Sequence, residues 1–267
     1  MSAPRPSRVR VEVRELSKTF AAPGCAVTAV ERISFDVRAE EFVALVGPSG
    51  CGKSTVLNMI AGLIAPTGGA IRLDDRPLAG VPSQVGYLFQ KDTVFPWRTV
   101  AQNIGLGLAY RGVSRAERAA RVREAIRLVG LDGFEDAFPA TLSGGMRQRV
   151  ALMRTLVVDP EILLMDEPFG ALDTHTKLRL QAQLLQLWFR RRQTVIFVTH
   201  DLAEAITLAD RVIVMSRRPG RVKHVHEVKL PRPRDVIAIR ETAAYAAEFA
   251  ALWHVLGAEF AHAADVG

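Results

Sequence analysis

The arrangement of apolar positions changes character twice along the chain. In the first forty residues apolar and polar positions alternate: Val11 and Val13, then Val27, Ala29, Ile33, Phe35 and Val37. Successive side chains on a strand point to opposite faces, so this spacing predicts antiparallel or edge strands with one wet face. The run Phe42-Val43-Ala44-Leu45-Val46 is then continuously apolar, the pattern of a strand buried on both faces. A Gly-rich turn follows, and after it a helix-like stretch to Ala61 closed by Gly62. Strand, loop and helix in that order open a parallel α/β unit.

Between about Phe95 and Arg154 the periodicity is mostly helical. Ser114-Arg115-Ala116-Glu117 has the form of a capping box, and Val122, Ile126 and Val129 then fall on one face up to Gly130. Buried-strand patterns return at Ile162–Met165, Thr194–Thr199 and Arg211–Met215. Leu178–Arg192 reads as a helix, and Asp201-Leu202-Ala203-Glu204 caps another. The prediction is an α/β core, about 1–90 and 155–230, interrupted by a helical insert at about 91–154 and followed by a helical tail at 231–267. Pro219-Gly220 and Pro231-Arg232-Pro233 punctuate the C-terminal part.

Composition narrows the class. Of 267 residues, 49% are apolar and 24% charged, which excludes wholesale disorder. The two cysteines, Cys25 and Cys51, form no disulfide framework and lack metal spacing. The N-terminus has no apolar h-region, and no apolar window is long enough to span a bilayer. The most apolar stretch, Ala243–Ala261, contains Glu248, His254 and Glu259 and reads as an amphipathic helix. A soluble or peripheral protein is expected. The net charge of +7 suggests an anionic partner: nucleotide phosphate, lipid headgroup or nucleic acid.

The chemistry begins at Gly47-Pro48-Ser49-Gly50-Cys51-Gly52-Lys53-Ser54-Thr55, which fits G-x-x-x-x-G-K-[ST] directly after a buried strand and before a helix. Glycines let backbone N–H groups curl inward as an anion nest, and the helix start adds its dipole. Lys53 is placed to reach the β- and γ-phosphates and the Ser54 hydroxyl to ligate Mg²⁺. Cys51 reads as a small space-filling residue, the alternative being a redox switch. The strand Ile162–Met165 ends on Asp166 and Glu167. Asp166 is positioned for the Mg²⁺ shell, and Glu167 to polarise an attacking water as general base.

With Leu142-Ser143-Gly144-Gly145-Met146-Arg147-Gln148-Arg149 the chain resembles the nucleotide-binding subunit of an ABC transporter. The family signature usually reads LSGGQ, and Met146 stands where the Gln would be. The resemblance implies a P-loop NTPase (RecA-like) core with an antiparallel β subdomain and an inserted α-helical subdomain. Ser143 and the amides of Gly144 and Gly145 form a second anion site at a helix start. It would face a nucleotide held by another subunit, so a two-fold dimer with two sandwiched ATP molecules is implied. Gln90 matches the glutamine that senses Mg²⁺ and the lytic water. Ala171-Leu172-Asp173 matches the D-loop, preceded by Gly170 where the family usually has Ser. His200 matches the switch histidine that contacts the γ-phosphate and orients the base. Phe20 matches the aromatic that stacks on adenine, core packing being its alternative.

The stretch Gln90-Lys91-Asp92-Thr93-Val94-Phe95-Pro96-Trp97-Arg98-Thr99-Val100, with Asn103-Ile104 and the Arg111-Gly112-Val113 turn, resembles importers of the nitrate/sulfonate/taurine type. Trp97 could instead be a buried packing aromatic. The chain ends about 45 residues after Gly220, which disfavours the sugar-type branch with its additional regulatory domain. The resemblance implies ATP and Mg²⁺ as ligands, and as partners permease subunits and, through them, a periplasmic or lipoprotein solute receptor. It places the chain at the cytoplasmic membrane face, with no nucleic acid partner. An exporter subunit and a soluble ABC-type ATPase acting on nucleic acid are the competing readings. Much of the excess charge lies in Arg111, Arg115, Arg118, Arg121, Arg123 and Arg127, in Arg190–Arg192, and in Arg217, Arg218 and Arg221. These form either a solvated surface or a surface drawn to anionic headgroups.

Overall fold

The computed structural model describes residues 8–22, 24–91, 93–170 and 172–261. Asp92, Ala171 and the first seven residues lie outside them, as does the side chain of Glu259. The alternating N-terminal segment forms two long strands, β1 (Val9–Ala22) and β2 (Cys25–Arg38), paired antiparallel. The continuous apolar run is β3 (Phe42–Val46), and the helix after it is α1 (Lys53–Ile60). Next come β4 (Gly68–Leu73) and β5 (Arg76–Pro77), which extend the first sheet to the order β2-β1-β4-β5.

The second sheet has the order β10-β9-β3-β8-β7-β6. Its members are β6 (Val85–Leu88), β7 (Ile162–Asp166), β8 (Thr194–Val198), β9 (Arg211–Met215) and β10 (Val222–Glu227). All pairings from β9 to β6 are parallel, and only edge strand β10 runs antiparallel. Every residue of β3, β7 and β8 is buried, as the unbroken apolar runs predict.

Alternate residues of these strands feed two different cores. Val43, Leu45, Leu164, Ile196, Val198 and Ile213 belong to a cluster that also contains α1 and the inward faces of β1 and β2. Phe42, Ala44, Leu163, Met165, Phe197 and Val212 face the other way, into a helical layer. That layer contains α2 (Val100–Ile104), α3 (Leu106–Tyr110), α4 (Arg115–Leu128), α5 (Gly144–Leu156), α6 (Thr174–Arg191), α7 (Leu202–Leu208) and α8 (Ala243–Ala261). The period of two within the strands thus sorts the molecule into an antiparallel sheet with α1 on one face and helices on the other.

Two local expectations need correction. Helix α6 begins at Thr174, four residues before the first apolar position, because the Asp173 carboxylate accepts a hydrogen bond from the Thr176 amide and caps it there. The box at Ser114 is half formed: Ser114 Oγ accepts from the Glu117 amide, but the Glu117 carboxylate takes Arg121 Nη2 at 2.6 Å instead of reaching back. Strands β4 to β6 and β10 carried no distinct strand pattern in the sequence. None of the described helices is long and apolar enough to cross a membrane.

The tail packs against α7. Tyr245, Leu252 and Leu256 are buried, and Glu248 joins His226 on β10. Ahead of α8, the buried Arg234 donates through Nη1 to the carbonyls of Ile206, Thr207 and Ala209, at the open C-terminal end of α7, and through Nη2 to Leu230. These carbonyls have no partner within the helix, so the guanidinium acts as its C-terminal cap. Burial lowers its pKa to about 9, which leaves it protonated at neutral pH. Arg234→Met is expected to destabilise the fold by about 3 kcal/mol, since several buried carbonyls lose a charged donor. A urea unfolding midpoint equal to that of the parent protein would refute this anchoring.

Candidate functional site

The parallel order of the second sheet decides where the nominated residues meet. Gly47 follows β3, His200 follows β8, Asp166 ends β7 with Glu167 just after it, and Gln90 follows β6. These are four neighbouring strands, all presenting their C-terminal ends on the same edge, where open α/β sheets bind ligands.

The loop 47–52 turns sharply into α1. Gly52 lies at φ 101°, and a Cβ on it would come within 2.4 Å of Val30 Cγ1, so no other residue fits. Lys53 is buried and its Nζ donates to the carbonyls of Gly47 (2.8 Å) and Pro48 (2.9 Å). Helix α1 has no side-chain N-cap and no acidic residue in its first turn, which comprises Lys53, Ser54 and Thr55. By contrast α2, α4, α5, α6 and α7 are capped by the side chains of Thr99, Ser114, Ser143, Asp173 and Asp201. The uncapped N–H groups of α1 and the curled loop with Pro48, Ser49 and Gly50 form an anion cradle. Cys51 is buried with its Sγ 3.8 Å from Lys53 Nζ, and burial raises its thiol pKa. It fills space there, and the redox reading falls, since a reactive thiol needs exposure and a lowered pKa.

Asp166 is buried and its Oδ1 has no hydrogen-bond partner among the described residues. Burial raises its pKa, opposed by a hydrogen bond with Ser54 and the nearby charge of Lys53, while Glu167 adds to the rise. A buried carboxylate oxygen without a partner, beside a hydroxyl, is a hard oxygen donor set suited to Mg²⁺. Glu167 adopts φ 46°, a left-handed conformation held by its amide donating to Val198 O at 2.9 Å. That turn brings Oε2 to 3.2 Å from Gln90 Nε2 and 3.2 Å from His200 Nδ1. Gln90 and His200, far apart in sequence, therefore converge on one carboxylate oxygen of Glu167.

Ser143 caps α5 through Met146 N at 3.2 Å, with Gly144 and Gly145 forming the first turn. A Cβ on Gly145 would lie 3.3 Å from Leu172, so this helix start rests on the segment that leads to Asp173. Met146 is partly buried against the helical core. Gly170 would tolerate a serine, as a Cβ there meets only Glu167 atoms at 3.6 Å or more. Phe20 is 44% exposed at the end of β1 with Lys18 Nζ 5.2 Å from its ring centroid, so the core alternative does not hold. Neither does burial of Trp97, which is 69% exposed and leans on Phe95 in a loop stapled by Asn103 to the carbonyls of Phe95, Arg98 and Thr99.

The sequence profile described as ABC transporter matches residues 30–170, more than half of the chain. The chain belongs to this family. An uncharacterized ABC transporter ATP-binding protein of Methanocaldococcus jannaschii is also among its relatives, 48% identical over 87% of both chains. The taurine import ATP-binding protein TauB of Rhizobium johnstonii is 50% identical over 79% of this chain and 81% of its own. The aliphatic sulfonates import ATP-binding protein SsuB of Bacillus cereus is 44% identical over 84% and 88%. A dimeric ATP-binding cassette in a post-hydrolysis state, bound to ADP and Pi, superposes with a TM-score of 0.74 at 30% identity, covering 83% of this chain and 100% of that one. The ABC protein described here is thus an ATP-binding subunit, an ATPase coupled to transport.

Two supports of the ABC site escaped sequence reasoning. Gln148 is buried and its Nε2 donates to Pro168 O at 3.1 Å, fixing the turn after Glu167. Its place in the helix that starts at Ser143 was the available signal. Gly220, which reads as punctuation, backs the loop itself: its amide donates to Ala29 O, its carbonyl accepts from the Glu31 amide, and a Cβ would stand 2.0 Å from Cys51 O. Beside it Arg218 Nε donates to Gly50 O at 3.1 Å. Gly220→Ala must therefore push the phosphate loop out of shape. ATP affinity is expected to fall at least tenfold, about 1.4 kcal/mol, by titration calorimetry. Gly257→Ala, where a Cβ meets nothing within 4 Å, is the control, and equal affinities in the two variants would refute the clamp.

Proposed function

We propose that the chain hydrolyses ATP, with Mg²⁺, in a two-fold dimer at the cytoplasmic membrane face, and so powers import of a small solute of the nitrate, sulfonate or taurine kind. The observation that carries the catalytic part is the convergence of Gln90 and His200 on Glu167 Oε2 beside Ser54, Asp166 and Lys53. The import part rests on similarity to TauB and SsuB. Permease subunits, and through them a periplasmic or lipoprotein solute receptor, are the remaining partners.

The phosphate chain of ATP lies in the cradle of loop 47–52 and the amides of Lys53, Ser54 and Thr55. Lys53 neutralises charge on the β- and γ-phosphates, and Phe20 offers its exposed ring to the base. Ser54, Asp166 and Gln90 would hold Mg²⁺, which neutralises the charge that develops on the phosphate oxygens. Gln90 and His200 both engage Oε2 of Glu167, which leaves Oε1 to accept the proton of the attacking water. Holding that carboxylate from two sides reduces the reorganisation that the reaction must drive.

The second anion site supports the dimer. Helix α1 belongs to one face of the central sheet and the Ser143 helix start to the other. A nucleotide on the first cradle is met by Ser143, Gly144 and Gly145 of a second copy, with Asp173 beside them at the interface. Glu167→Gln is expected to retain ATP binding, lower turnover by at least about 100-fold, and accumulate an ATP-bound dimer on size exclusion. Unchanged hydrolysis would overturn the base assignment. Ser143→Arg is expected to leave ATP binding by the monomer intact while abolishing that dimer. Loss of monomer binding would place the signature in its own subunit's site instead. Stimulation of hydrolysis by nucleic acid, with none by the reconstituted permease and its loaded receptor, would overturn the transport reading.

A further inference from the structure

His200 is presented by a loop whose flanking residues, on both sides, belong to one partly buried charge network. Lys177, on the first turns of α6, places Nζ 2.9 Å from Asp201 Oδ2 and 2.6 Å from Glu204 Oε1. The other oxygen of Glu204 accepts from Thr199 Oγ1 at 2.6 Å, and Thr199 Oγ1 accepts in turn from the Asp201 amide at 3.0 Å. Asp201 Oδ1 caps α7 through the Ala203 amide at 2.8 Å. The residues before and after His200 are thereby tied to each other, to α6 and to α7. The ring itself is mostly exposed, and it meets Glu167 Oε2 through Nδ1. Its position depends on its backbone, and its backbone depends on this network.

The electrostatics make Lys177 indispensable to the arrangement. Burial lowers its pKa, but the bonds to Glu204 and Asp201 outweigh that, and the net shift is upward. Burial raises the pKa of Asp201, yet Lys177 and the amides of Glu204 and Ala203 bring it below the usual carboxylate range. Glu204 is almost fully buried, and there burial outweighs Lys177 and Thr199, leaving its pKa raised. Two carboxylates share one ammonium, so without it they repel each other across the junction of the loop that carries His200 and α7.

We propose that Lys177 is a positioning residue for hydrolysis, bracing the Thr199–Asp201 loop so that His200 stays within reach of Glu167. This rests on the reading of Glu167 and His200 given above. The competing account is that the ion pairs only hold α6 against α7.

A double-mutant cycle separates the two. Lys177→Met is expected to lower kcat 10- to 100-fold, the range that a displacement of about 1 Å produces, with ATP affinity within twofold of the parent. Lys177→Arg should restore most of the rate. In a His200→Ala background, Lys177→Met should cost less than a further twofold. In protein labelled with ¹⁵N at histidine, the His200 Nδ1 resonance should move in Lys177→Met in the direction it moves in Glu167→Gln, and return in Lys177→Arg. Equal rate losses in the two backgrounds, or an unmoved resonance, would overturn the brace and leave the site reading standing. An unchanged rate in His200→Ala alone would overturn the site reading and the brace with it. Should Lys177→Met not fold, Glu204→Gln keeps an acceptor for Thr199 and removes the shared charge. It must lower kcat at least fivefold at unchanged ATP affinity, and a parental rate there also overturns the proposal.

Discussion

Burial of the parallel sheet on both faces is the constraint from which the rest follows. A strand with no wet face has little room for a polar side chain, so β3 is apolar throughout, β7 is apolar up to Asp166 and β8 after Thr194, and their chemistry is expelled to their ends. Parallel pairing then puts those ends side by side, at strand spacings of about 4.8 Å. Gly47, His200, Glu167 and Gln90 are neighbours because β3, β8, β7 and β6 are neighbours in that order. The site is a consequence of register. A slip of one residue in β7 would exchange its two faces and turn Leu163 and Met165 away from the helical layer.

The same burial makes the polar groups at those ends expensive, and each is compensated in a distinct way. Lys53 is held by two carbonyls, Glu204 by an ammonium and a hydroxyl, and Gln148 by the Pro168 carbonyl. Asp166 Oδ1 is buried and without a partner among the described residues. An unpartnered carboxylate oxygen in such a position carries a desolvation cost that a cation would relieve. Its neighbour Glu167 adds a second cost in its left-handed backbone. Both costs sit at the end of one strand, next to the phosphate loop, and local conflicts of this kind concentrate where function is located.

Features written in local spacing were legible from the sequence. The phosphate loop could be read because its glycines, Lys53 and Ser54 fall within one turn between a buried strand and a helix. The three all-buried strands could be read because burial on both faces suppresses alternation. Other features depend on contacts between distant segments, which leave no spacing to detect. Gly220 lies about 170 residues from the Cys51 carbonyl that it backs, and nothing around Pro219-Gly220 marks that approach. Lys177 looks like an ordinary surface lysine on a polar helix start until α6 folds against the Asp201 loop. Helix α6 itself began earlier than its apolar pattern, because a cap determined its start rather than an apolar face.

The net charge illustrates the same limit. A count of cations predicts a field, but of the 35 basic residues 29 are arginine and 6 lysine, and a field alone would not require that ratio. The guanidinium fork can bridge separate segments through several carbonyls at once, which a lysine does less well. Arg149 joins α5 to the Val129 and Gly130 carbonyls, Arg111 reaches Ser83 and Val158, and Arg232 ties the Asp210 carboxylate to the Leu208 carbonyl. Arg191 holds Leu156 and Asp159, and Arg218 holds the Gly50 carbonyl of the phosphate loop. Each closes a junction where backbone leaves a helix or strand with open carbonyls. These arginines are therefore accounted for by the connections of a two-faced sheet whose helix and strand ends need donors, without appeal to a polyanion.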